Sequence, residues 1–183
     1  MKKNGFTLIE LLAVIVILSI LMVLAVTSFT TVMNNSKKDT MITTAEQFVD
    51  AVEVNLLSGD YDEYDVLENI NGCLVVRINS IELESGNYDS PFGSSLENNY
   101  SYVVVKHIEG IDYDYYVQLV DDDKNGFRIT STNSLRRDIV LMGNVNNAIE
   151  VQNNADGSMV NPSNSGLRGG PLYCNQVALY IDE

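Results

Sequence analysis

The hydrophobic rhythm of the chain changes twice. Residues 6–26 are apolar on every side except at Thr7, Glu10 and Ser19, and residues 11–26 are broken only by Ser19. As a helix rising about 1.5 Å per residue, this stretch spans roughly 30 Å, the thickness of one bilayer hydrocarbon core. From Ser28 the composition is mixed, yet Val32, Met41, Ile42, Ala45, Phe48, Val49, Val52 and Leu56 fall at helical steps, so the same helix is predicted to continue with one apolar stripe. Ser58-Gly59 supplies a C-cap, which sets the predicted helix at residues 6–57.

Beyond Gly59 the pattern becomes that of strands and turns. Residues 60–72 are acidic and loop-like, with a short helix expected at 64–70, followed by a strand at 74–79 and a Gly/Pro/Ser-rich connection at 85–95. Three β-rich runs follow at 100–108, 113–120 and 127–132. Glu109-Gly110 makes the first turn between them and residues 121–126 the second. Residues 134–171 are rich in Asn, Gly and Ser, and a last strand is expected at 172–181. The expected fold class is α+β: a long N-terminal helix whose second half packs on an antiparallel sheet. The segments are 6–28, apolar helix; 29–58, amphipathic helix; and 59–183, β head with its loops. No internal repeat is present.

Composition narrows the function. The 183 residues, 45% of them apolar, are enough for one ordinary domain and an anchoring helix. The net charge is −14, and such a surface repels phosphate backbones, so nucleic acid is not an expected partner. The two cysteines, Cys73 and Cys174, each lie beside an expected strand. In an exported domain they can form one disulfide closing a loop of about a hundred residues; as buried free thiols they would be ordinary small core residues.

The N-terminus carries the sharpest signal. Lys2 and Lys3 precede the apolar run and would stay cytoplasmic, leaving the rest of the chain outside. A cleaved secretory signal fits poorly, because Leu24-Ala25-Val26-Thr27 only weakly approximates a small-residue cleavage site. A permanent signal anchor holding an acidic, ligand-binding domain is a second reading. Against both stands Glu10. A carboxylate inside a spanning helix costs on the order of 2.5–3.5 kcal/mol and calls for a partner that neither reading provides.

The run Lys2-Lys3-Asn4-Gly5-Phe6-Thr7-Leu8-Ile9-Glu10-Leu11-Leu12 resembles the prepilin peptidase recognition motif of type IV pilins and of their relatives, the type II secretion and competence pseudopilins. The resemblance is close over residues 2–26 and architectural beyond. It implies a leader, residues 1–5, cut between Gly5 and Phe6, and methylation of the new Phe6 amine. Loss of Lys2 and Lys3 would then leave 9 basic against 25 acidic side chains, a net charge of −16. The resemblance further implies anchoring in the cytoplasmic membrane through residues 6–26 and assembly, with itself and with other pilins, into an extracellular filament. Prepilin peptidase and the pilus assembly machinery are the implied partners. Adhesion, twitching motility and biofilm formation are the implied roles, with a minor pilin or a type II secretion pseudopilin as the runner-up. In this frame Glu10 gains a partner: the Phe6 amine of a neighbouring subunit. A buried ion pair of that kind fixes register, since docking at the wrong height leaves two charges unpaired.

Other chemistry is thin. Asp121-x-Asp123-x-Asn125-Gly126 opens like a calcium loop, but its twelfth position is Thr132 rather than a bidentate glutamate, which favours an acidic hairpin turn. His107 is the sole histidine, so no histidine-based metal cluster or catalytic triad is expected. The carboxylates are scattered through turns. Neither a cofactor nor an enzymatic activity is expected.

Overall fold

The computed structural model describes residues 7–58, 73–81, 83, 88–109, 112–146, 148–150, 152–153 and 159–160. The chain opens with α1 (Leu8–Ser58), a helix uninterrupted by glycine or proline. Two compact units divide the chain, residues 1–37 and 38–183.

In the second unit the apolar stripe of α1 supplies Met41, Ala45, Phe48, Val49, Val52 and Leu56 to the core. Val32 does not extend that stripe: it is 66% exposed and lies in the first unit. Burial begins at Met41.

The sheet is antiparallel with strands in sequence order: β1 (Cys73–Arg77), β2 (Tyr102–Glu109), β3 (Asp112–Val120) and β4 (Gly126–Ser131). Val103 and Val105 of β2, with Val117 and Leu119 of β3, join the α1 stripe in one core. Their alternates Tyr102, Val104, Tyr116, Gln118 and Val120 are buried as well. Both faces are therefore covered over residues 102–105 of β2 and 116–120 of β3, which matches the lack of polar alternation in Tyr102-Val-Val-Val105. Phe48 stacks tilted against Tyr88, with ring centroids 5.9 Å apart.

Strand ends depart from expectation where local hydrogen bonds compete with the ladder. β1 stops at Arg77 because Ile78–Ser80 tightens into a 3-10 turn, closed by the Ile81 N–H donating to the Ile78 carbonyl at 3.1 Å. The strand expected to reach 132 ends at Ser131, where the 3-10 turn Thr132–Ser134 takes over, and residues 134–150, from the Asn/Gly/Ser-rich region, hold a further 3-10 turn, Arg137–Ile139, and bury Val140 and Val145. A short hairpin, β5 (Gln152–Asn153) with β6 (Met159–Val160), was not legible in the sequence. The helix expected at 64–70 and the strand at 172–181 lie outside the described residues.

Candidate functional site

In α1 the described residues of the first unit form no core. Leu8, Ile9, Leu11, Ile17, Ile20 and Leu21 lie around the helix and are each more than half exposed. Residues 8–26 rise about 28 Å, and Glu10 is their one ionisable side chain. Among the described residues, α1 is the helix long and apolar enough to cross a membrane. Its few hydroxyls are satisfied within the helix itself. Ser19 Oγ donates to the Ile15 carbonyl at 2.7 Å, Thr27 Oγ1 and Ser28 Oγ to that of Leu24 at 3.0 and 3.3 Å, and Thr30 Oγ1 and Thr31 Oγ1 to that of Thr27 at 3.0 and 3.2 Å.

The start of α1 is a reciprocal cap. The Glu10 backbone N–H donates to Thr7 Oγ1 at 3.3 Å, while Glu10 Oε2 accepts from the Thr7 backbone N–H at 2.8 Å and from the Thr7 hydroxyl at 2.7 Å. Thr7 is the N-cap and Glu10 occupies the third helical position, which satisfies donors that a helix start leaves open. This corrects the sequence reasoning about Glu10, which gave the carboxylate no partner in its own chain. The signal was present in the sequence as Thr7-x-x-Glu10, the Ser/Thr-x-x-Glu signature of a capping box. A carboxylate in the first turn also faces the positive end of the helix dipole.

The other residues singled out from sequence do not converge on this site. Gly5 and Phe6 lie outside the described residues, as does Cys174. Cys73 opens β1 opposite Lys106, and His107 lies in β2 opposite Tyr113. Among the described residues no three His, Cys, Asp or Glu side chains gather to hold a metal.

The turn at 121–126 is closed on itself. Asp121 is fully buried. Its Oδ1 accepts from the backbone N–H groups of Asp123 and Asn125 at 3.0 and 2.8 Å and from Asn125 Nδ2 at 3.1 Å; its Oδ2 accepts from Asn125 Nδ2 at 3.0 Å and from Ser90 Oγ at 2.6 Å. The acidic-turn reading thus acquires a second task, since the Ser90 bond ties the connection at 88–97 to the sheet. The Asp122 N–H donating to the Ser95 carbonyl at 3.1 Å and the Glu97 N–H donating to that of Val120 at 2.8 Å tie it twice more. Lys124, at a left-handed φ of 61°, closes the same corner: its Nζ donates to Glu97 Oε2 at 2.7 Å and sits 4.5 Å from the centre of the Tyr100 ring. The Glu97 carboxylate, its nearest partner, holds the Lys124 ammonium above its usual range.

Sequence comparison adds one finding at the N-terminus. Residues 1–26 match the family model of the prokaryotic N-terminal methylation motif. No curated protein and no solved structure matches the chain. The matched segment contains the Thr7–Glu10 cap and the exposed apolar run of α1 as far as Val26, in a chain whose architecture is α+β, a long helix and a four-stranded antiparallel sheet. The chain carries the motif that is the hallmark of type IV pilins and prepilin-like proteins.

Proposed function

We propose that this protein is a structural subunit of an extracellular type IV pilus, made as a precursor, cut by prepilin peptidase between Gly5 and Phe6, methylated on the Phe6 amine and assembled through residues 6–28. One observation carries the reading. A helical segment matched by the methylation motif is apolar and exposed around its circumference, with a single carboxylate in its first turn. Apolar surface on this scale is stable only in lipid or against other apolar helices, and a filament core offers the second after a membrane has offered the first.

Assembly asks Glu10 to exchange the two Thr7 donors for a cationic amine on a neighbouring subunit. The Thr7 bonds are already charge-assisted on the carboxylate side, so what the exchange adds is the attraction between two full opposite charges in surroundings of low dielectric. Glu10→Ala is expected to leave cleavage after Gly5 largely intact and to block incorporation into filaments. Normal piliation by that variant would refute the role given to Glu10. N-terminal sequencing tests the reading as a whole: methylated Phe6 supports it, whereas an intact Met1 favours the signal-anchored domain, a reading that gains weight from Thr7 already serving as a partner for Glu10. The number of copies in purified fibres separates a major pilin from a minor pilin or a pseudopilin. Adhesion, twitching and biofilm formation are the roles that follow for such a fibre.

A further inference from the structure

We propose that Asn125-Gly126 is a dormant deamidation site, guarded by the Asp121 staple, and that its conversion to aspartate or isoaspartate irreversibly opens the β3–β4 corner. An Asn-Gly peptide is chemically labile because glycine offers no side chain to hinder attack by its own backbone nitrogen. The Gly126 nitrogen loses its proton to hydroxide or another base and attacks Asn125 Cγ, and Nδ2 leaves as ammonia. Water then opens the cyclic imide at either carbonyl, giving aspartate or isoaspartate. The only co-reactant is water.

The fold restrains both reacting groups. The nucleophile, the Gly126 N–H, donates to the Leu141 carbonyl at 2.9 Å, while the Leu141 N–H donates back to the Gly126 carbonyl at 2.7 Å. The electrophile is held at both ends, with Asn125 Nδ2 on the two oxygens of Asp121 and Oδ1 accepting from the Gly143 N–H at 2.8 Å. Turning the carboxamide toward the Gly126 nitrogen breaks all three of these bonds. The labile dipeptide also cannot be removed by enlarging its second residue. Gly126 has φ +138°, and a Cβ there would lie 2.0 Å from the Leu119 carbonyl oxygen. Glycine is obligatory at this corner, so protection falls to the hydrogen bonds around Asn125.

The product does not fit the site it leaves. A carboxylate at position 125 replaces a donor that lay 3.0–3.1 Å from the oxygens of buried Asp121, and two carboxylates so close in a buried site cannot both stay charged. Isoaspartate instead lengthens the backbone by one atom beside the Val120–Gly126 pair. Either product loosens Asp121, and with it the Ser90 bond that holds the connection at 88–97.

The test follows position 125 by peptide mass spectrometry in the detergent-solubilised full chain, native and urea-denatured. Conversion in the native chain is expected to be slower by a factor of about ten or more, because local opening must come first. Ser90→Ala removes one anchor of the staple and is expected to speed native conversion, and Asp121→Ala to speed it further. Asn125→Asp is expected to lower the melting temperature and to raise hydrogen exchange at residues 88–97. Equal rates in native and denatured chains would overturn the proposal. So would Ser90→Ala and Asp121→Ala chains that convert as slowly as the native one, or an Asn125→Asp chain indistinguishable from it. An Asp121→Ala chain that does not fold leaves Ser90→Ala to decide.

Discussion

Gln118 is a buried polar side chain in the middle of the sheet, and replacing it with leucine tests how the C-terminal region is held. Its Nε2 donates to the carbonyls of Tyr100 at 3.0 Å and Ile149 at 2.8 Å, and its Oε1 accepts from the N–H groups of Ile129 at 3.2 Å and Ile149 at 3.1 Å. Two tasks meet here. The β3–β4 ladder slips between Val117 and Leu119, so the side-chain oxygen stands in for a ladder partner of Ile129 at a bulge. The same amide grips both backbone groups of Ile149, as a strand neighbour would. Gln118→Leu keeps the volume and removes all four bonds. The Ile149 carbonyl retains the Tyr102 hydroxyl at 3.1 Å, and the half-buried Ile149 N–H reaches water once its segment lifts. The buried Ile129 N–H has neither remedy, and an unsatisfied buried donor costs about 1–3 kcal/mol. With the lost bonds and a partial gain from leucine burial, the expected net loss is about 2–4 kcal/mol, or a melting temperature lower by roughly 5–12 °C in a chain of this size. Calorimetry of the detergent-solubilised chain reads the shift, and hydrogen exchange should rise at residues 148–150 before it rises in β2. An unchanged melting temperature with unchanged exchange at Ile149 would refute the reasoning.

Two further outcomes concern pH. Arg137 forks onto Asp39, with Nε donating to Oδ1 at 2.6 Å and Nη2 to Oδ2 at 2.5 Å, and this holds the Asp39 carboxyl below its usual range. A depressed acid contributes stability above its unfolded pKa, about 4, and loses it as pH falls through the folded value. Acid unfolding should therefore begin at higher pH in Arg137→Gln, and added salt should narrow the difference because the pair is exposed; identical acid transitions would exclude a role for the pair. Burial, then the nearby Glu53 carboxylate and Tyr113, push the Tyr115 phenol up to about 12. Its contribution is fully present below about pH 10 and lost as pH rises toward 12, so ultraviolet titration should show a late-ionising component that Tyr115→Phe diminishes, beside Tyr100 and Tyr113, which burial also pushes up.

The elements were legible where periodicity is local. The stripe from Met41 to Leu56 and the strands around Val103 and Val117 announce themselves by their spacing, and residues 6–26 by the absence of any. The long-range polar contacts were not legible. Gln118 reads as one polar letter in an apolar strand, and its partner Ile149 lies 31 residues on, in a stretch that looked irregular. Ser90 and Asp121 are equally far apart, and Asp39 meets Arg137 across 98 positions. No local rule links such pairs, because what joins them is the sheet register and the path of the chain around it. The Thr7–Glu10 cap is the opposite case: it is wholly local, and it was obscured by reading Glu10 for its charge alone.

The two units satisfy their polar groups in opposite ways, and the difference suits the function proposed for each. From Thr7 to Thr31 the side-chain hydrogen bonds described close within four residues: Thr7 with Glu10, Ser19 on Ile15, Thr27 and Ser28 on Leu24, Thr30 and Thr31 on Thr27. Beyond the Thr7–Glu10 cap, where the proposed assembly contact lies, a helix that satisfies its hydroxyls locally asks nothing polar of its surroundings, so that stretch can leave lipid for a bed of neighbouring helices without exposing an unmet donor. The head does the reverse. Gln118 reaches Tyr100 and Ile149, and Asp121 reaches Ser90, over 18 to 31 positions, and Ser101 both donates to the Val120 carbonyl at 2.9 Å and accepts the Val120 N–H at 3.1 Å. Those bonds exist only while the whole sheet is in register, which makes the head cooperative and resistant to partial opening. A subunit that must change its surroundings once and then hold its shape outside the cell needs the first arrangement in its helix and the second in its head.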